Sequence, residues 1–310
     1  MAQPGYLLNL GETPYLEAWE LQRALAGAVS QDAIPDTVVM LEHPPVITLG
    51  RRTEGDEVHV PPGAAVEVVE TDRGGKSTFH GPGQLVCYPI LDLNRHGRDV
   101  KRYCRDLEEA IIRTLAAFDV EATRIDGLTG VWLQSPPRKI CSIGVHISRW
   151  VTTHGYALNV DLDPAPFTDW ITACGLEDAA FTTMARELGR PVSVDDVRPA
   201  AAAALEDVFN LAFEELPADG GAIERRRSAR RLQACRCRDR SRSRVEDRWQ
   251  SAQKARSLRR GSDGRHDDRR DRAGRDAAAV PARAPTPVIG AHRRPRAAPD
   301  MERPPRLVLR

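Results

Sequence analysis

The sequence predicts an α+β domain followed by a tail of opposite charge, on three observations. Residues 1–220 carry 18 basic and 33 acidic side chains, net −15, while 221–310 carry 27 and 11, net +16, so the overall +1 conceals two compositions. Strand-like runs cluster between helical ones without strict alternation, which favours an α+β arrangement over a doubly wound one. Large aliphatic residues are plentiful in the first part and scarce in the second, whose Arg, Asp, Ala and Pro richness cannot bury enough apolar surface to fold. The expected organisation is therefore a folded domain at 1–220 and an Arg-rich disordered tail at 221–310. The tail also has the composition of a GC-rich reading frame never selected for folding, and both readings stay open.

In chain order, Ala18, Leu21, Leu25 and Ala28 fall at helical spacing over 15–29. Two β-branched runs follow, Thr37 to Met40 and Val46 to Leu49, split by His43-Pro44-Pro45. Residues 65–71 read as a strand, 72–83 as a Gly-rich loop, and 84–93 as a strand whose Pro89 suits an edge or a strand end. Tyr103, Leu107, Ile111, Leu115 and Phe118 form one face of a helix over 100–118. Short strands are expected at 130–133, 140–148 and 156–161. A closing helix is expected from about 194 to 216, opened by Ser193 and Asp196 in capping-box positions.

Several function classes drop out. No run approaches 18 uncharged apolar residues, and the N-terminal segment lacks a basic region followed by a long apolar stretch, so neither a membrane span nor a secretory signal is expected. Cysteines at 87, 104, 141, 174, 235 and 237 show no zinc-type pairing with histidines and no disulfide framework. A reducing cytoplasm is the expected setting, with neither metal nor cofactor.

The densest run of special residues is Asp72-Arg73-Gly74-Gly75-Lys76-Ser77-Thr78-Phe79-His80-Gly81-Pro82-Gly83-Gln84. Its Gly-Lys-Ser is not a phosphate-cradling loop, because Glu70 stands where the first glycine is needed. Glycines without Cβ atoms let backbone N–H groups approach an extended ligand, although a charged surface hairpin has the same composition. Lys139 opens the largely apolar run Lys139-Ile140-Cys141-Ser142-Ile143-Gly144-Val145-His146 and either enters a cleft or snorkels at a strand end. Cys174-Gly175 follows the aromatic-containing segment 166–170. An unperturbed thiol is only about 3% thiolate at pH 7, so a nucleophile there needs a nearby cation.

Together these segments resemble one family, the lipoyl(octanoyl) transferases of lipoate biosynthesis. Glu42-His43-Pro44-Pro45-Val46-Ile47-Thr48-Leu49-Gly50 is similar to the family's early strand turn. The runs RGGKSTFHGPGQ at 73–84 and KICSIGVHISRWVTTHGYALNV at 139–160 resemble its two signatures, and the collinear match covers roughly residues 5–216. The resemblance implies the fold of biotin and lipoate protein ligase catalytic domains, a mixed sheet with flanking helices. It implies that Cys174 forms an acyl-thioester and that Lys139 lowers its pKa and has a part in the amine proton's transfer. It further implies that Arg73, Gly74, Gly75, Lys76, Ser77, Thr78, Phe79 and His80, with Ser142, Ile143, Gly144, Gly155, Tyr156 and Ala157, line the acyl-substrate tunnel. Ala173 departs from the family's usual proline before the Cys-Gly pair.

The implied reaction carries an octanoyl group from octanoyl-acyl carrier protein to a lysine of lipoyl domains. The implied acceptors are E2 subunits of 2-oxoacid dehydrogenases and the glycine cleavage H protein. Because residues 1–220 are net acidic, docking of acidic partners is expected at a local patch of Arg73, Lys76, Arg138, Lys139 and Arg149. An ATP-dependent lipoate or biotin ligase is the alternative, distinguished by having no need of Cys174. A nucleic-acid-binding module rests only on the tail's charge, and acidic residues interspersed there oppose it.

Overall fold

The computed structural model describes residues 1–55, 57–171 and 180–217. Cys174 and the expected tail lie outside these residues.

The chain opens with β1 (Gln3–Glu12), not foreseen in the sequence, and α1 (Tyr15–Val29), which buries Ala18, Leu25, Ala28 and Val29. β2 (Asp36–Glu42) and β3 (Val46–Leu49) follow, turned by the His-Pro-Pro segment. β4 (Glu67–Glu70), β5 (Thr78–His80) and β6 (Gln84–Ile90) come next, so the expected Gly-rich loop contains a short strand. After α2 (Val100–Ala116) the chain forms β7 (Thr123–Ile125), β8 (Leu128–Leu133), β9 (Arg138–Ser148) and β10 (Val151–Asn159). It then gives α3 (Pro166–Asp169), β11 (Ala180–Phe181), α4 (Met184–Leu188), α5 (Val194–Phe209) and β12 (Leu211–Leu216).

The expected closing helix is thus cut short. Asn210 adopts left-handed φ 53°, ψ 48°, a conformation that short polar side chains tolerate and that ends a helix. Leu211–Leu216 then runs parallel to β1, from Gln3 opposite Leu211 to Leu8 opposite Leu216. The expected cap is present: the Ser193 side chain accepts from the Asp196 N–H, and Asp196 accepts from the Ser193 N–H.

A mixed sheet runs in the order β12-β1-β2-β6-β10-β9-β8-β7, with β11 added alongside β9, and a separate small sheet has the order β4-β3-β5. β1 is parallel to both neighbours, while β2, β6, β10, β9 and β8 pair antiparallel in succession. β6 is an interior strand, and Pro89 is tolerated because it sits next to the strand's last residue, beyond the β10 register that ends at Cys87 opposite Tyr156. On one face, Leu8, Val39, Leu41, Val86, Tyr88 and Ala157 pack against α1. On the other, Met40, Leu85, Cys87, Cys141 and Leu158 pack with the buried faces of α2 and α5. No helix among the described residues is long and apolar enough to cross a membrane.

Arg198 fastens α5 to the sheet, donating to the carbonyls of Met40 at 3.0 Å and Leu10 at 2.7 Å. Since α5 bears this contact and precedes β12, its N-terminus is a point at which stability can be tested. Ser193→Ala should lower unfolding free energy by about 1 kcal/mol without altering the urea m-value, as measured by equilibrium denaturation.

Candidate active site

A cavity of about 680 Å³ opens on the α1 side of the main sheet. Its floor is built from small residues in register: Ser142 of β9 lies opposite Ala157 of β10, which lies opposite Val86 of β6. One step along, Gly144 is paired with Gly155. The second row must be glycine, because a Cβ on Gly155 would lie 2.2 Å from the Cys87 carbonyl oxygen and one on Gly144 would lie 2.9 Å from that of Gly74. Those absences bring β6, β9, β10 and the loop at 73–77 close enough to form one concave surface.

Arg73 holds that loop over the floor. It is 6% exposed, and its guanidinium donates to Thr48 Oγ1 from Nε at 3.0 Å and from Nη2 at 2.8 Å. Further bonds go to the carbonyls of Thr48, Gly74 and Lys76. Gly74 N–H donates to the Val145 carbonyl at 2.9 Å, stitching the loop to β9. Lys76 is paired with Glu57, whose other oxygen lies 3.3 Å from Ser77 Oγ; the lysine holds the Glu57 carboxyl below its ordinary range against the opposing effect of burial.

Lys139 projects into the cavity, 5% exposed, with Nζ 4.9 Å from the centroid of the Trp132 ring. Trp132 and Lys139 are cross-strand partners in β8 and β9, and Gly130 leaves the space that the lysine stem occupies. The strand–end snorkelling alternative is thereby corrected: the ammonium is inside.

Most sequence-predicted residues converge here. Arg73, Gly75, Lys76, Ser77, Thr78, His80, Lys139, Ser142, Ile143, Gly144, Gly155, Tyr156 and Ala157 all line the cavity. Phe79 and Gly74 do not. Phe79 sits on the opposite side of β5 in a cluster with Phe167 and Ile171, and Gly74 lies behind the loop against Val145. Cys174 lies outside the described residues. Of the other cysteines there, Cys87 and Cys141 are buried and Cys104 is partly so; burial pushes the Cys87 thiol up to about 12 and raises the other two. Among the described residues, no group of three or more His, Cys, Asp or Glu is placed to hold a metal ion.

Of the five cations expected to form a docking patch, Arg149 is exposed. Arg73 and Lys139 are buried, Arg138 is bound bidentately to Glu187 at 3.1 and 2.9 Å, and Lys76 is paired with Glu57. The exposed cations at the cavity wall are Arg51 and Arg52, whose backbone N–H groups bond to the carbonyls of Arg73 and Gly75.

The sequence reading missed an aromatic and imidazole cluster at one end of the cavity. His154 Nε2 is 2.7 Å from Asp72 Oδ1 and its Nδ1 is 3.4 Å from the Tyr15 hydroxyl. His43 Nδ1 is 2.6 Å from the Thr13 carbonyl and its Nε2 is 2.7 Å from the Tyr88 hydroxyl. Burial lowers the pKa of His43 to about 4, lowers those of His80 and His154, and raises Tyr15 to about 12. The rings are therefore neutral at pH 7, and each tyrosine O–H donates to an imidazole whose other N–H is held by an oxygen. His43 within the His-Pro-Pro segment and His154 beside Gly155 were visible as motif residues, but nothing in their spacing showed that they meet.

A histidine with a depressed folded-state pKa stabilises the fold while both states are neutral, and that contribution is lost as pH falls from the unfolded value near 6.5 toward the folded one. For His43 alone the shift corresponds to about 3 kcal/mol. The urea midpoint should decline steadily from pH 7 to pH 4.5, and His43→Gln should flatten that decline; a midpoint independent of pH over this interval would contradict the buried neutral imidazoles.

Comparison with known proteins agrees with this geometry. The family model described as "Lipoyl protein ligase A/B catalytic domain" matches residues 14–206. An octanoyltransferase of Mycobacterium tuberculosis is 52% identical over 199 residues, covering 64% of this chain and 84% of that one. An octanoyltransferase of Chloroflexus aurantiacus is 47% identical over 207 residues, covering 65% and 92%. Among solved structures, a bipartite lipoate protein ligase from Thermoplasma acidophilum superposes with a TM-score of 0.57 at 18% identity, covering 73% of this chain and 91% of that one, a likeness of fold. The glycine-floored cavity, the loop clamped over it and the lysine within it thus stand in a chain that belongs to the lipoyl protein ligase A/B catalytic-domain family and, within it, to the octanoyltransferases, acyltransferases of lipoate metabolism.

Proposed function

We propose that the chain transfers an octanoyl group from octanoyl-acyl carrier protein to a lysine amine of a lipoyl domain, through a thioester on Cys174. The observation that carries this reading is Lys139, an ammonium held inside a substrate-sized cavity beside the strand where the chain returns from the Cys174 segment. Ala180 and Phe181 pair with Arg138 and Lys139, and Thr182 N–H donates to the Lys139 carbonyl at 3.0 Å. On the other side, Ile171 bridges to Val58. Cys174 is three residues after Ile171 and six before Ala180, a tether of at most about 20 Å to the lysine's strand.

In this mechanism the Cys174 thiolate adds to the donor's thioester carbonyl, and the carrier thiolate leaves as the enzyme thioester forms. The neutral amine of the acceptor lysine then attacks, the Cys174 thiolate leaves, and the amine's extra proton is lost to give the amide. A positive charge near Cys174 favours its thiolate, the role proposed for Lys139. Burial raises the pKa of the Cys87, Cys104 and Cys141 thiols, which opposes a nucleophilic role for these three. Thioester-to-thioester exchange is nearly even in energy and thioester-to-amide runs downhill, so the sequence of steps needs no ATP. The floor of Ser142, Gly144, Gly155 and Ala157 gives an extended acyl chain room, each buried methylene contributing about 0.8 kcal/mol.

Intact-mass measurement after mixing the full chain with octanoyl-acyl carrier protein, without ATP, should show one octanoyl adduct that hydroxylamine removes. Cys174→Ala should show none; an adduct retained in that variant, or transfer only with ATP, would contradict the two-step reading. Lys139→Gln should form the adduct only as pH is raised toward the thiol's unperturbed value of about 8.5, seen as a rightward shift of its pH–rate profile. Ala157→Leu, which fills the floor, should lower kcat/KM for the octanoyl donor by about tenfold or more and favour shorter acyl chains.

A further inference from the structure

Beside Lys139 the cavity wall carries a polar atom that the fold leaves without use. Trp132 is 2% exposed, and among the described residues its indole Nε1–H meets no acceptor. Buried donors are almost always satisfied, and an indole N–H can only donate, so this one is available to an acceptor that the described residues do not supply. Its place is informative. Trp132 lines the cavity, stands opposite Lys139 in the β8/β9 register, and holds the lysine's ammonium over its ring. Gly130, at φ +116° and two residues earlier on the same strand, clears the space through which the lysine stem passes. Two donors, one charged and one neutral, are therefore held in one buried wall by strand pairing, and because Nε1 has less than 1 Å² of accessible surface the indole must turn slightly for an acceptor to reach it.

We propose that the Trp132 indole N–H donates to the carbonyl oxygen of the acyl thioester, and to the oxyanion formed when the thioester is attacked. The proposal rests on the acyl-transfer reading above and adds a catalytic residue to it. As the attacking thiolate forms its bond to the carbonyl carbon, the π electron pair moves onto oxygen, which then carries the negative charge. Trp132 N–H and the Lys139 ammonium receive that oxygen. When the pair returns, the carrier's carbon–sulfur bond breaks and the thiolate departs. A donor aimed at charge that develops only in the transition state raises kcat more than it tightens substrate binding.

The test uses the full chain. Cys174→Ala chain labelled with ¹⁵N-tryptophan is titrated with S-octanoyl-pantetheine and, separately, with the S-octyl thioether of pantetheine, which lacks the carbonyl. The Trp132 indole resonance is identified by its loss in Trp132→Phe. It should move downfield with the thioester and not with the thioether; equal response to both ligands, or to neither, would overturn the proposal. In the active chain, Trp132→Phe keeps a ring beneath Lys139 but removes the donor. It should lower kcat for octanoyl transfer by about a hundredfold while leaving the donor's KM within about twofold. Unchanged kcat would overturn the assignment. If Trp132→Phe fails to fold, replacing Trp132 by 3-benzothienylalanine, which has sulfur in place of N–H, gives the same test with the shape preserved. A thioester-specific indole shift in a wild-type chain that makes no Cys174 adduct would retain the binding site and reject the two-step reading, so the two failures are distinguishable.

Discussion

The cavity depends on a buried guanidinium. Arg73 reaches across from the glycine segment to Thr48 on β3 and to the carbonyls of Gly74 and Lys76 in its own turn, and these bonds keep a chain with little side-chain bulk from collapsing or lifting away. A charge taken out of water is costly unless it is hydrogen-bonded, so Arg73 favours the one loop shape in which its donors meet oxygens. Its position also relieves it of direct service as a surface cation for docking.

From that guanidinium a directed line of hydrogen bonds crosses the domain. Arg73 donates to Thr48 Oγ1; with His80 neutral and its Nδ1–H given to Gln84 Oε1 at 2.7 Å, His80 Nε2 accepts from the Thr48 hydroxyl at 3.4 Å. Gln84 Nε2 donates to Asn159 Oδ1 at 2.9 Å, and Asn159 Nδ2 to the Thr182 carbonyl at 3.1 Å. Thr182 itself holds the Lys139 carbonyl. The glycine loop and the strand carrying Lys139 are therefore connected by buried polar contacts as well as by packing, and each group satisfies the next.

What was legible in the sequence was local. Helices α1 and α2 declare themselves through apolar residues at a spacing of three and four, and the α5 cap through Ser193 and Asp196. The glycines of the 73–83 loop, Gly144 and Gly155 declare themselves as sites of close approach, though the partner of each approach is set by sheet order, which spacing does not encode. β12 was hidden because Leu211–Leu216 continues an apolar pattern compatible with a helix, and only Asn210 marked the break. Phe79 was placed on the ligand because it lies within a signature, whereas strand alternation turns it the other way from Thr78 and His80. Trp132, Tyr15, Tyr88 and His154 come from four separate elements, so their convergence is a property of tertiary structure alone.

The pairing of β12 with β1 bears on how the chain is made. Gln3–Leu8 is synthesised well before its partner, and one of its edges waits for Leu211–Leu216, some two hundred residues later. Parallel pairing at that separation forms slowly, and until then an apolar strand edge is open to other chains.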